Sequence, residues 1–218
     1  MRQRGSKLLF LLALALGCAV GFAQPPDTLW TLEVSDSGQS AYGWDTRETL
    51  DGGFIVAGWQ TRSSGPSAAV LIRIHPFGDI LWTRYYDEDS AFAAYAVRQT
   101  PDGGFLFTGT GAAPNAAAAL FVAKTNEDGG LLWRHTYLPQ EAVNGYSIDL
   151  TSDGGSIIAA DYGSFNIWLV RLNAAGDMLW AHDYGGSPYD RIREVQQTPD
   201  GGFCVGASIW VPPVLALQ

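Results

Sequence analysis

Short runs of alternating apolar and polar residues fill most of the chain, and turns rich in glycine, proline, asparagine or aspartate separate them. One stretch shows the pattern well, with runs over 93–99, 105–110, 120–124 and 131–137. Side chains that alternate with a period of two face opposite sides of a strand, so each run predicts a half-buried β-strand. No segment of helical length carries a 3.6-residue period. The pattern therefore predicts an all-β fold.

Two sequence markers recur along the chain with these runs. A Leu-Trp pair occurs four times, and an Asp-Gly-Gly triplet recurs in step with it at 51–53, 102–104, 153–155 and 200–202. Successive tryptophans lie 52, 51 and 47 residues apart, and successive aspartates lie 51, 51 and 47 residues apart. Agreement between independent markers indicates a tandem repeat of about fifty residues. We predict structural roles for all eight residues: Trp30, Trp82, Trp133, Trp180, Asp51, Asp102, Asp153 and Asp200.

The Asp-Gly-Gly triplets predict hairpin turns between the first and second strands of each unit. Such a turn needs a positive φ at a position where glycine carries no steric penalty. A second polar turn, at 126–130 in the second unit, separates the third and fourth strands. The alanine-rich segment 112–119 falls between the second and third strands and is predicted to be a loop.

Four antiparallel strands in about fifty residues, without a helix, have the size of one blade of a β-propeller. We predict a leading strand at 28–34, complete blades at about 41–86, 93–137 and 145–184, and a partial blade over 190–218. The partial blade supplies two clear strands, which favours an open arc. A four-bladed ring is the alternative, if 214–217 provides a third strand and the leading strand a fourth, but Pro212 and Pro213 each remove a ladder donor there.

The first 23 residues predict a signal peptide. Arg2, Arg4 and Lys7 precede an uncharged apolar run, and Gly21 and Ala23 are the small residues that a signal peptidase reads. Lipoprotein processing with a lipid anchor at Cys18 is the alternative, because 14–18 resembles a bacterial lipobox. Either route predicts export, to the medium, the periplasm or the cell surface. No later segment reaches the roughly 20 apolar residues of a membrane-spanning helix, and 24–218 is predicted to form the repeat domain.

Charge narrows the choice of partners. The whole chain has a formal net charge of −9. Removal of 1–23 leaves 10 Lys and Arg against 22 Asp and Glu, a formal charge of −12. Nucleic acid and anionic membrane surfaces are therefore poor partners. Cys204 would then be the single cysteine of the processed chain, so no intramolecular disulfide is expected.

The repeated motifs carry a family resemblance. Gly-x-x-x-Trp at 78–82, 129–133 and 176–180, with Thr-Pro-Asp-Gly-Gly-Phe at 100–105 and 198–203, resembles the tryptophan-docking repeat of the quinoprotein (pyrroloquinoline-quinone) propeller superfamily. It is also similar to secreted bacterial proteins with Asp-Gly-Gly-Phe and Leu-Trp in each blade. The resemblance covers the whole chain after the signal peptide and implies a propeller fold. It implies no single function, because such propellers include enzymes and assembly scaffolds.

The chain departs from this pattern at one marker, since Ser156 stands where the other units have Phe54, Phe105 and Phe203. The redox enzymes of the superfamily need a quinone cofactor in a central funnel, a Ca²⁺ ion and a carboxylate base within a larger closed ring. This chain has fewer units and no such set of residues. We therefore predict no cofactor.

Other candidate chemistry is weak. The four repeat aspartates could form a carboxylate ring for Ca²⁺, but turn chemistry explains them. His135 and His182 fall on different units, which argues against a shared metal. The acidic run 87–89 offers paired carboxylates, as a glycosidase needs, but lies in a loop without a predicted cleft. We predict no catalytic or metal-binding residue and favour a protein that is not an enzyme.

Candidate binding residues are expected on one face of the propeller. Successive turns of an up-and-down blade fall on opposite faces, so the Asp-Gly-Gly turns lie opposite the inter-blade connections and the loops between the second and third strands. These segments differ in sequence from unit to unit, and loops on a rigid scaffold commonly carry binding residues. The candidates on that face are Asp87, Glu88, Asp89, Glu141, Asn144, Tyr162 and Tyr189.

These features together predict an exported, non-catalytic propeller module that binds a protein or a glycan. Two alternatives stay open. The chain could be a non-catalytic fragment of a larger secreted hydrolase or other enzyme, or a truncated gene product without independent function.

Overall fold

The computed structural model describes residues 10–12, 30–34, 39–62, 67–86, 92–113, 116–138, 143–163, 166–185 and 190–208. All regular structure in these ranges is β, which confirms the predicted fold class. The strands are β1 (Phe10–Leu12), β2 (Thr31–Glu33), β3 (Ala41–Glu48), β4 (Phe54–Gln60), β5 (Ala68–Ile74), β6 (Ile80–Tyr86), β7 (Phe92–Gln99), β8 (Phe105–Ala113), β9 (Ala116–Thr125), β10 (Leu131–Tyr137), β11 (Val143–Leu150), β12 (Ser156–Tyr162), β13 (Asn166–Leu172), β14 (Met178–Gly185), β15 (Arg191–Gln197) and β16 (Phe203–Ser208).

Three four-stranded antiparallel sheets make up most of the molecule. The first sheet contains β3 to β6, the second β7 to β10 and the third β11 to β14, and neighbours in the chain are neighbours in the sheet. This is the strand order of three complete repeat units, as predicted. The arrangement is compatible with a propeller-like repeat fold.

The two ends of the described chain form smaller sheets. β15 and β16 pair as a two-stranded fourth sheet, and β1 pairs antiparallel with β2, with Leu11 opposite Leu32. Within the described ranges, β2 and β16 belong to separate sheets, which fits the predicted open arc. β1 lies inside the predicted signal peptide, and cleavage after Ala23 stays a prediction.

The core lies between successive sheets. Ile55 and Leu71 of the first sheet pack with Phe105, Phe107 and Phe121 of the second. Similar apolar clusters join the second sheet to the third and the third to β15. Because a middle strand packs on both faces, β5 is buried along its whole length. These stacked interfaces hold the first strand of each sheet in a fixed place.

The predicted loop at 112–119 is wrong for most of its length. β8 continues to Ala113 and β9 begins at Ala116, and these two residues are opposite each other in a hairpin. Ala119 and Leu120 are fully buried. Tertiary packing therefore overrides the low strand propensity of alanine.

The first strand of each of the three complete sheets and of the fourth sheet carries a β-bulge at the same place in the unit. At each bulge the pairing register with the second strand shifts by one residue. A bulge leaves one extra residue outside the regular ladder and redirects its side chain. The four residues at these shifts are Trp44, Tyr95, Tyr146 and Arg193.

The described ranges contain no helix with the length and hydropathy needed to cross a membrane.

Candidate functional site

The repeat aspartates organise the turns that follow the first strands. In the first unit the Thr49 hydroxyl donates to Asp51 Oδ1 at 2.7 Å, the Gly53 amide donates to the same oxygen at 3.3 Å, and Gly52 has φ of 79°. In the other three units an equivalent threonine hydroxyl and glycine amide donate to the aspartate. Turn chemistry thus accounts for the recurrence of Asp-Gly-Gly.

Three of these aspartates also bind a cation from the third strand of their own sheet. Asp51 pairs with Arg73, Asp102 with Lys124 at 2.6 Å, and Asp153 with Arg171 at 2.6 Å. The threonine hydroxyl two residues earlier is the main cause that lowers the pKa of Asp51 and of Asp153 to about 2. For Asp102 the bond from Lys124 is the main cause, and its pKa is also lowered to about 2. These carboxylates are charged at neutral pH and engaged within their own sheets.

The repeat tryptophans dock each sheet onto the next. The rings of Trp30 and Phe54, of Trp82 and Phe105, and of Trp180 and Phe203 meet edge to face, with centroids 5.9, 5.7 and 5.9 Å apart. This geometry is favourable for aromatic pairs, and it packs the partly buried tryptophan rings between sheets.

The third tryptophan docks on a glycine, as Trp30 does on Gly78 and Trp82 on Gly129, but it lacks a phenylalanine partner because Ser156 stands at that position. The Trp133 ring lies against Gly176, where an added Cβ atom would come within 3.0 Å of the ring. The Tyr137 hydroxyl donates to the backbone oxygen of the same glycine. Trp133 therefore still packs onto the following sheet, although that sheet has no phenylalanine to meet it.

The structure places few of the predicted binding residues. Asn144 lies half-buried in β11, opposite Asp161, and Tyr162 ends β12, opposite Val143. Both belong to the third sheet. The others, Asp87, Glu88, Asp89, Glu141 and Tyr189, lie outside the described residues.

The bulges bring together four residues that were not predicted as a site. We call Trp44, Tyr95, Tyr146 and Arg193 the bulge row, since each comes from the first strand of a different sheet. Trp44 meets Tyr95 edge to face with centroids 5.1 Å apart, and Tyr95 stacks on Tyr146 with centroids 5.1 Å apart. Trp44 is 55% exposed. The row is thus a continuous aromatic surface ending in an arginine.

The two tyrosines of the bulge row keep their protons at neutral pH. Burial is the main cause that raises the pKa of Tyr95 and of Tyr146 above the ordinary tyrosine value. A neutral phenol both donates and accepts hydrogen bonds. The row therefore offers aromatic faces together with neutral hydroxyl groups.

A small polar cavity of about 190 Å³ lies against the bulge row. Its wall includes the four row residues and Asp45, Arg47 and Glu194, so all four sheets contribute to it. Its lining thus combines aromatic and charged side chains. A concave site with a few convergent polar groups is a typical place for a ligand.

Ion pairs fix the charged side of this cavity. Arg98 Nη1 lies 3.0 Å from Asp45 Oδ2, and Arg98 Nε lies 3.7 Å from Asp149 Oδ1. Arg47 Nη2 reaches Glu194 at 3.7 Å, which joins the first sheet to the fourth. We call Asp45, Arg47, Arg98, Asp149 and Glu194 the central ion-pair network. It holds two guanidinium groups and three carboxylates in fixed positions.

The bulge row could have been found in the sequence. Its members are 51, 51 and 47 residues apart, the same steps as the repeat aspartates. Alignment of the units therefore puts Trp, Tyr, Tyr and Arg at one position. The bulge that turns this position toward a shared cavity is a property of strand pairing, which the residues alone do not reveal.

Comparison with known proteins adds little to this geometry. No family model matches the chain, and no curated protein matches it. Among solved structures, the chain is similar to the crystal structure of a protein of unknown function from Bacteroides caccae, with 16% sequence identity and a TM-score of 0.46. The similarity covers 68% of this chain and 50% of that one, so the chain spans about half the length of that protein.

Proposed function

We propose that this protein is an exported, non-catalytic binding module whose ligand is a glycan held at the bulge row. One observation carries the proposal: three aromatic side chains from three different sheets line one polar cavity. A sugar ring presents an apolar C–H face and a rim of hydroxyl groups. An aromatic surface beside fixed hydrogen-bonding groups complements both features.

The size of the cavity favours a sugar ring over a protein surface. Its volume of about 190 Å³ is below the 300 Å³ or so of a drug-sized pocket. A specific protein partner needs about 800 Å² of surface on each side. The cavity therefore suits one ring of a glycan.

The carboxylates of the cavity support binding and not proton transfer. Asp45 receives hydrogen bonds from Arg98 at 3.0 Å and from the Val97 amide at 3.0 Å, and Arg47 also contacts it at 3.0 Å. A carboxylate held by several donors is a fixed acceptor. Such groups orient sugar hydroxyls without a chemical step.

Titration calorimetry with cellotetraose, chitotetraose and xylotetraose tests the proposal. At least one of the three is expected to bind, and Trp44→Ala is expected to weaken that binding about tenfold, as the loss of a central aromatic contact does. Phe77→Ala is the matched control. Phe77 is 81% exposed in the turn between β5 and β6, away from the bulge row, so this variant should bind like the parent protein.

Two results would overturn the proposal. One is the absence of measurable binding to all three oligosaccharides at millimolar concentration. The other is an equal loss for the Trp44 and Phe77 variants, which would show that binding does not involve the bulge row.

A further inference from the structure

The outer edge of β16 differs from the same edge in the complete sheets. In those sheets the second strand pairs on one side with the first strand and on the other with the third. Among the described residues, β16 pairs with β15 alone. An exposed strand edge presents a row of backbone donors and acceptors that an added strand can use.

An apolar cavity follows this edge. It has a volume of about 410 Å³ and lies between the third sheet and β16, against Leu169, Trp180, Phe203, Val205 and Ala207. Between the first two sheets the corresponding space is filled by the third strand, through Phe121 and Ala123 of β9. The cavity therefore occupies the position of a third strand in the fourth sheet.

Within the described residues, the fourth unit also lacks the ion pair that the turn aspartate forms in each of the other units. Asp200 accepts bonds from Thr198 at 2.5 Å and from the Gly202 amide at 3.1 Å, as the other repeat aspartates do from their own turns. Each of the other three also pairs with a third-strand Arg or Lys. Asp200 has no cationic partner within the described ranges, and residues 209–218 contain neither Lys nor Arg.

The three complete sheets show which position of the third strand carries the cation. Arg73 is opposite Ile55, Lys124 is opposite Leu106, and Arg171 is opposite Ile157. In each case the opposite residue directly follows the first residue of the second strand. The equivalent residue in β16 is Cys204. A strand in this register would place its basic side chain opposite Cys204 and within reach of Asp200.

We propose that the edge of β16 binds an extended segment of a partner polypeptide, with apolar residues at alternate positions and a Lys or Arg opposite Cys204. Backbone pairing supplies general affinity, while the cavity and Asp200 select the sequence, as in other cases of strand addition. This proposal is independent of glycan binding, because the edge and the bulge row share no residue.

A labelled peptide with the sequence of β5 extended by one residue, Ala-Ala-Val-Leu-Ile-Arg-Ile-His, is the probe. Its fluorescence anisotropy is measured against the full chain, beside a scrambled peptide and a peptide with Glu in place of Arg. The β5 peptide should bind more tightly than either control. Asp200→Asn should weaken binding by about two- to fivefold, the effect of an exposed ion pair, and Asp79→Asn, in a turn of the first sheet, should not.

Alkylation of Cys204 by iodoacetamide locates the bound peptide. Cys204 is exposed, so the β5 peptide should slow its alkylation and the scrambled peptide should not. Equal binding of the β5 and scrambled peptides would overturn the proposal, as would binding without protection of Cys204. It would also be overturned if the protein alone formed dimers in light scattering and thereby protected Cys204, since the occupant would then be a second copy.

Discussion

At the scale of single residues, a turn aspartate gains a second structural role where it pairs with a basic side chain of the third strand. All four accept bonds from their own turn, but Asp153 also anchors Arg171, whose side chain is 8% exposed. Arg171 donates to the Ser156 backbone oxygen at 3.1 Å and to that of Leu172. The aspartate therefore joins the hairpin turn to a buried cation in the third strand.

The lowered aspartate pKa values predict loss of stability in acid. Asp51, Asp102 and Asp153 have folded-state pKa values of about 2, below the unfolded value of about 3.9. A lowered pKa stabilises the fold fully above pH 4, and this contribution is lost as pH falls toward 2. Asp161, whose pKa burial raises, acts in the opposite direction. We expect the urea midpoint to be level from pH 7 to 5 and to fall between pH 4 and 2.

Asp153→Asn should flatten this acid dependence more than Asp200→Asn. Both substitutions remove a turn carboxylate, but only the first also removes the partner of a buried arginine. Urea unfolding at pH 6 and pH 3 measures the difference. Equal effects would mean that the turn bonds alone, and not the ion pair, couple the aspartate to stability.

The turn role of these aspartates was predictable from Asp-Gly-Gly, but their cation partners were not. Asp51 and Arg73 are 22 residues apart, as are Asp102 and Lys124, while Asp153 and Arg171 are 18 apart. The separation depends on the loop between the second and third strands. The pairing is therefore set by strand register and leaves no fixed spacing in the sequence.

At the scale of strands and sheets, the tryptophan docks link each unit to the next. The Leu-Trp repeat predicts outer strands that pack between units, and Trp82 and Trp180 each meet a ring of the following sheet. The sequence did not predict how Trp133 docks without a phenylalanine. Trp133 keeps the contact with Gly176 that Trp30 makes with Gly78 and Trp82 with Gly129, because only a residue without a side chain lets the indole approach so closely.

Substitution of Gly176 tests the strength of this dock. Its φ is 88°, and an added Cβ atom would lie 2.9 Å from His135 and 3.0 Å from Trp133. Gly176→Ala should cost about 1–2 kcal/mol for the positive φ and about 1–3 kcal/mol more for the forced contact. Chemical unfolding of the variant measures the total.

Gly154→Ala is the matched control in the same sheet. Its φ is 83°, but the nearest atom to an added Cβ is 3.9 Å away. Gly154→Ala should therefore lose only the stability that the positive φ costs, about 1–2 kcal/mol. If the two variants lost the same stability, close docking of Trp133 would contribute nothing measurable.

At the scale of the whole molecule, the central ion-pair network joins all four sheets. Arg98, on the second sheet, contacts Asp45 of the first and Asp149 of the third, and lies 4.0 Å from Glu194 of the fourth. The side chains of Arg98 and Asp45 are 14% and 13% exposed. Loss of one partner from such a pair leaves a charge buried without compensation.

Arg98→Ala is expected to destabilise the fold by about 3 kcal/mol. Arg47→Ala should cost at most about 1 kcal/mol, because Arg47 is 41% exposed and exposed ion pairs contribute little. Urea unfolding followed by tryptophan fluorescence compares the two variants. A larger loss for the Arg47 variant would contradict this order.

The repeat count made the sheets predictable, whereas the central contacts were not. Units of about fifty residues with four alternating runs were sufficient to predict three complete sheets and a partial fourth. The network joins Arg47 to Glu194 across 147 positions, and no local pattern connects them. Only the stacking of the sheets brings such residues together.

The bulge in each first strand has a consequence for how this molecule can diversify. Each bulge turns one side chain out of the ladder, and of the four residues Tyr146 alone packs against an apolar cluster of the core. We therefore expect positions 44, 95 and 193 to accept other side chains without a change in strand register. A library randomised at these three codons would hold many different recognition surfaces on a single folding unit.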